Sequence, residues 1–264
     1  MSELSIDVTI DGVPYTRKQL ARYEYERALH GLHELQDLGV EIADGDTVLS
    51  PIEINWLDPE DANRISFQTR AGMSDEYTLE VFKDVIADTE RRWHEWLSVP
   101  IEEQGYQIGV TRLSVKGMTV QEMQSSGALG AGGSDGKHIM PEHYVVAGDI
   151  ATGQSGMKVF GMTGEPTHVH GTGQQEIPEG IPVEREPGFS VCLAGETHLA
   201  VDDLNIHLGA IHEFKPTADG FEMKSTFFAP ANAPRALSEG HPIHFAIEIA
   251  NMFQDGYDKI HAAD

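Results

Sequence analysis

Apolar positions recur at helical spacing through the first hundred residues and alternate with polar ones beyond about residue 105. Leu4 to Ile10 alternates as a short strand that turns at Asp11-Gly12. Thr16 with Gln19 forms a capping box. Leu20, Tyr23, Leu29, Leu32 and Leu35 follow at helical spacing until Gly39, which predicts a helix ending near Leu38. A second helix is predicted over Asp75 to Leu97, with Val81, Phe82, Val85, Ile86, Trp93 and Trp96 on its apolar side and Pro100 as its stop. Residues 1–100 therefore read as a helical extension whose exposed aromatics suit a homodimer contact.

From Gly105 the pattern is of strands broken by glycine: Tyr106–Val115, His143–Gly148, Lys158–Met162, Phe189–Leu193, Ile206–Phe214 and Phe221–Phe228. The turn Thr217-Ala-Asp-Gly220 joins the last two. Ser125–Gly136 is rich in glycine and reads as a loop or lid. The chain closes with a helix from about His241 to Ile260 that is apolar on nearly every side and hence buried. Strands followed by one buried helix predict an α+β helix-grip domain over residues 101–264, a curved antiparallel sheet around a long C-terminal helix, with a pocket on the concave face.

That helix carries the chain's most informative pair. His244 and Glu248 are four residues apart, which stacks an imidazole and a carboxylate on one helical face. On a helical wheel His241, His244, Glu248 and Asn251 lie within about 80° of one another, a narrow polar stripe in an apolar surround. A plain i,i+4 hydrogen bond on a solvated face is the bland reading, and the apolar neighbours argue against it. Buried imidazoles and carboxylates need partners, and a metal is a natural one.

Composition narrows the chemistry. With 43 acidic and 18 basic residues the net charge is −25, which argues against nucleic acid or an anionic membrane surface as partner. No apolar run is long enough for a membrane span. The N-terminal residues lack the basic and apolar regions of a signal peptide, so the expected location is cytoplasmic. Cys192 is the single cysteine, so any metal must be held by His and carboxylates. Ten of the 13 histidines fall at or after His138.

Several of these histidines are candidates to complete a metal shell. His143, after Met140-Pro-Glu, opens a predicted strand from which it can point into the sheet cavity. His168 and His170 share one strand face, with Glu176 six residues on. That stretch resembles the cupin metal motif, with Gly195-Glu-Thr-His198 in place of the second one, although the gap to the Glu is longer than in cupins. His212 is the leading candidate acid or oxygen-binding group, followed by His207, His170 and Tyr144. His207 and His212 are five apart, so on a regular strand only one faces the pocket.

Three patches, Pro141-Glu-His143-Tyr, Asp219–Phe228 and His244–Phe253, resemble the zinc-dependent C–C hydrolases that include 2,4-diacetylphloroglucinol hydrolase and phloretin hydrolase. The resemblance covers the second half of the chain. It implies a helix-grip catalytic domain, an N-terminal part that aids dimerisation, and zinc held by His143, Glu176, His244 and Glu248, with Glu165, Glu179 and the His168/His170 pair competing for the place of Glu176. The chain is shorter than that family between Glu176 and His244, where the pocket wall lies. Two imidazoles with two carboxylates suit zinc and equally manganese or ferrous iron. The expected activity is metal-dependent hydrolysis of the bond between an acyl group and a phenolic ring, or of a related β-diketone. The alternatives are a cupin-like ferrous dioxygenase or isomerase using His168, His170, Glu176 and His198, and a metal-free helix-grip protein that binds a small molecule.

Overall fold

The computed structural model describes residues 3–126, 134–149, 152–189 and 191–261. The chain opens with strands β1 (Ser5–Ile10) and β2 (Val13–Tyr15), followed by helix α1 (Arg17–Asp37) and the short strands β3 (Ala43–Asp44) and β4 (Thr47–Val48). Helices α2 (Pro51–Asn55), α3 (Pro59–Gly72), α4 (Asp75–Val81), α5 (Lys83–Trp96) and α6 (Ile101–Gln104) come next. Strand β5 (Tyr106–Lys116) precedes helices α7 (Val120–Ser125) and α8 (Ser134–His138). The remaining strands are β6 (His143–Asp149), β7 (Gly153–Val159), β8 (Pro166–Gln174), β9 (Val191–Leu199), β10 (Asn205–Pro216) and β11 (Gly220–Pro230), and helix α9 (Arg235–His261) closes the described chain.

The architecture is α+β, built on one nine-stranded antiparallel sheet in the order β2-β1-β5-β11-β10-β9-β8-β7-β6. The first hundred residues are not set apart from it. β1 pairs with β5 from Ser5↔Lys116 to Ile10↔Thr111, and α1 packs on α9. Thr16 caps α1 with the reciprocal Gln19 bond that the sequence predicts. The helix expected over residues 75–97 is two, because Phe82, fully buried, both ends α4 and begins α5. Among the described residues no helix is long and apolar enough to cross a membrane. The centre of the glycine-rich stretch, residues 127–133, lies outside the described residues, and α8 follows it.

Helix α9 packs on β1, β5 and β11, where Phe245, Ile249 and Phe253 join Leu113, Val115, Phe221 and Met223 in one core. It begins six residues before the expected start at His241 and accommodates Pro242 within it. The crossing over β5 is close: a Cβ on Gly109 would lie 2.5 Å from Pro242 Cγ and 2.6 Å from the Ser238 carbonyl oxygen. Thr111 Oγ1 donates to the Pro242 carbonyl at 2.9 Å, in the turn just before His244. The helix is thus fixed in height and rotation where it begins to carry its polar residues.

Candidate metal centre

The i,i+4 spacing on α9 and the first residue of β6 bring three side chains to one point. His143 Nε2 is 3.2 Å from His244 Nε2, and Glu248 Oε2 is 3.8 Å and 3.7 Å from those two nitrogens. Both imidazoles are buried and Glu248 is nearly so. Among the described residues this is the group of His, Cys, Asp and Glu side chains arranged to hold an ion.

The surroundings fix which atoms are free. His143 Nδ1 lies 2.9 Å from the Gly136 carbonyl oxygen, which can only accept, so Nδ1 carries the proton. His244 Nδ1 lies 3.0 Å from Oε2 of Glu142, whose other oxygen is held by the Arg27 guanidinium at 2.5 Å, so this Nδ1 is a donor as well. Both Nε2 atoms are left as bare acceptors, facing each other and a carboxylate. Burial, the largest influence, holds His143 down to about 3, so its imidazole is neutral at neutral pH. Three converging acceptors of this kind could hold a metal ion. Donors about 2.0–2.1 Å from a tetrahedral ion stand about 3.3 Å apart, close to the separations here.

Residues remote in sequence support this point. Arg70 of α3 is buried and donates to the carbonyls of Lys137, Met140 and His143 at 2.7, 3.3 and 2.6 Å, pinning the segment that delivers Glu142 and His143. Its desolvation lowers the guanidinium to about 10, still charged at neutral pH. Glu142, Arg27 and Arg70 were not singled out in the sequence. Glu142 adjoins His143, but it precedes the strand, where the period-two rule does not apply.

His143 and Glu248 of the triad line a cavity of about 220 Å³. Val145, Phe160, Leu193 and Phe245 give it apolar walls, and Lys158, His212 and His241 line it as well. Lys158, Glu196 and Glu248 are the charged groups that line it. Burial alone would raise Glu248, but Lys158 and the neighbouring imidazoles draw it down to about 2. His212 lies parallel to the Phe245 ring at 4.8 Å with Nδ1 3.0 Å from Ser225 Oγ, and burial lowers it to about 4. A neutral imidazole that accepts from Ser225 presents Nε2–H to a ligand, so His212 fits an oxygen-binding role better than that of an imidazolium acid.

The other candidates are distributed differently. Glu176 does not join the three ligands: it is exposed in the bend after β8 ends at Gln174. Glu165 pairs with Arg92, and Glu179 is exposed. Tyr144 is the extra residue where the β6–β7 register shifts; its hydroxyl donates to Glu34 and its ring packs on Phe82, among the N-terminal helices. His207 has its Nδ1 3.4 Å from the Tyr106 hydroxyl and does not line the cavity, whereas His212 does. Between Asn205 and Gly209 β10 advances four residues against two on β9, and His207 sits inside that irregularity with a left-handed φ of 50°, so regular strand alternation does not govern it. The four cupin-type residues do not converge. His168 meets Ser155, while His170, at the cavity rim, and His198 both meet Asp203. No family model matches this chain, and no curated protein matches it.

Proposed function

We propose that the chain is a metal-dependent hydrolase that cleaves the carbon–carbon bond between an acyl group and a phenolic ring, or within a related β-diketone. The observation that carries this reading is the convergence of His143 Nε2, His244 Nε2 and Glu248 Oε2, all acceptors, at the end of a cavity with apolar walls. The resemblance of the surrounding segments to zinc-dependent C–C hydrolases supplies the reaction type, and we read α9 against the sheet as the helix-grip arrangement of that family. Zinc held by the three residues would supply Lewis acidity toward a carbonyl oxygen. In the net reaction the ring carbon gains a hydrogen and the acyl carbon a hydroxyl, both from water. Phe160, Phe245 and Leu193 would hold the ring and exclude bulk water, and His212 would direct Nε2–H at a substrate oxygen.

The first test is elemental analysis of protein purified without a histidine tag, beside Glu248→Ala, followed by hydrolysis assays on acylphloroglucinols. About one zinc or manganese per chain, lost in the variant, with release of carboxylic acid from the substrate, supports the reading. Metal retained by Glu248→Ala sinks it. A specific observation favours a second reading, because two histidines and one carboxylate are the facial set of non-haem ferrous oxygenases and Glu176 is not there to make a fourth ligand. Oxygen uptake with ferrous-loaded protein, and no turnover anaerobically, would select it. A reducing, cytoplasmic location agrees with the single cysteine. Trp56, 84% exposed beside the exposed Ile52, is where we place a homodimer contact, which sedimentation of Trp56→Glu tests.

A further inference from the structure

Lys158 takes no part in the metal-ligand set, and no sequence signal marks it. On β7 it alternates with Met157 and Val159, which are buried against the N-terminal helices, while Gln154, Gly156 and Lys158 itself line the cavity. Its strand partner across β6 is His143, which places it beside the first ligand. The ammonium stands 5.6 Å from the centre of the Phe160 ring, another wall residue. Among the described residues it forms no ion pair within 4.0 Å, although the same wall carries Glu248. A lysine turned into an apolar-walled cavity that acts on Glu248 without forming an ion pair within 4.0 Å is unusual in a protein of net charge −25, where acidic side chains are plentiful.

We propose that Lys158 is the subsite for an anionic oxygen of the substrate, an enolate, phenolate or carboxylate, held beside the metal-binding triad. A divalent ion and the ammonium together would exceed the single negative charge of Glu248, and a bound anion would offset part of that excess. The Phe160 face under the ammonium keeps that charge over the cavity rather than in water. His241 adds a second polar group to the lining. It is 5% exposed, its ring lies against that of His244 at 5.2 Å, and its Nδ1 has no hydrogen-bonding partner. Lys158 is the cationic side chain among the residues that line this cavity, so an anion bound there would lie against it. This inference deepens the hydrolase reading and rests on it for the neighbouring metal.

The test is calorimetric binding to zinc-loaded protein of three probes: acetylacetone, which supplies an enolate; benzoate, which supplies a carboxylate; and uncharged acetophenone. Lys158→Met is expected to weaken the anionic probe that fits by about 10- to 100-fold, the equivalent of a charge-assisted hydrogen bond. Acetophenone affinity and zinc content should stay within twofold of wild type, and Lys158→Arg should restore most of the loss. A larger loss for acetylacetone assigns the subsite to enolates and phenolates, and a larger loss for benzoate to carboxylates. Equal weakening of charged and neutral probes, or anion binding indifferent to Lys158, overturns the proposal. Lys158-dependent anion binding in a protein that hydrolyses no acylphenol would remove the hydrolase reading and leave this subsite standing; hydrolysis with Lys158-indifferent binding would do the reverse.

Discussion

Glu142→Gln separates a carboxylate that tunes the metal centre from one that merely fills space. Glu142 is fully buried and divides its two oxygens between His244 Nδ1 at 3.0 Å and Arg27 at 2.5 Å. A glutamine of the same shape has one accepting and one donating end, and both of its neighbours donate. If its oxygen stays with Arg27, its NH2 faces Nδ1 and drives the His244 proton to Nε2, the atom that must remain bare for an ion. If it turns the other way, Arg27 loses its partner. Loss of such an orienting carboxylate weakens metal affinity about 10- to 100-fold, or about 1.4–2.7 kcal/mol. Breaking a buried pair also destabilises the metal-free protein by about 3 kcal/mol, the low end of the usual range because Arg27 is 15% exposed. Zinc competition against a chromophoric chelator measures the first effect and thermal unfolding of the metal-free protein the second. A zinc dissociation constant within twofold of wild type, with only the melting temperature lowered, would refute the tautomer argument and leave Glu142 as a fold element.

Four further outcomes follow from particular contacts. Burial raises Glu34 from 4.5 to about 7, so its ionised form is disfavoured in the fold; stability is present below 4.5 and lost as pH rises through 7, and Glu34→Gln should therefore be more stable than wild type at pH 8 in urea titrations, with the gap closing below pH 4.5. His143 and His212, lowered to about 3 and 4, act oppositely. Their unfolded forms take up protons below 6.5 while the folded forms do not, so metal-free protein should lose stability from pH 6.5 toward 4, and more slowly so when His212→Gln removes one of the two. Gly109→Ala should cost about 1–3 kcal/mol by pushing on Pro242 and Ser238, and should weaken zinc binding because α9 moves with its ligands; an unchanged melting temperature would show that the crossing yields freely. Tyr144→Phe should lose about 1 kcal/mol of stability yet keep the turnover of wild type, since its hydroxyl serves Glu34 rather than the cavity, and a large drop in turnover at full stability would return Tyr144 to the site.

What was legible in the chain was whatever a single element decides by itself. Helical spacing put His244 and Glu248 on one face, the apolar neighbours showed that face to be interior, and the strand start at His143 aimed it at the same interior; all three meet in the structure. The cap at Thr16 and the turn at Thr217–Gly220 are equally local. Contributions that depend on packing between elements were not legible. Arg27 and Arg70 reach the site from α1 and α3, far away in sequence, and Lys158 on its strand reads like any solvated lysine until β6 and α9 enclose its side. Glu176 illustrates the opposite hazard. It was carried over by position from the resemblance, and a strand's period cannot be counted through the bend that follows Gln174. The consequence bears on chemistry. With three protein ligands rather than four, a tetrahedral ion here would keep one position for water or substrate, and the group we place to select what fills it is Lys158 rather than a second carboxylate.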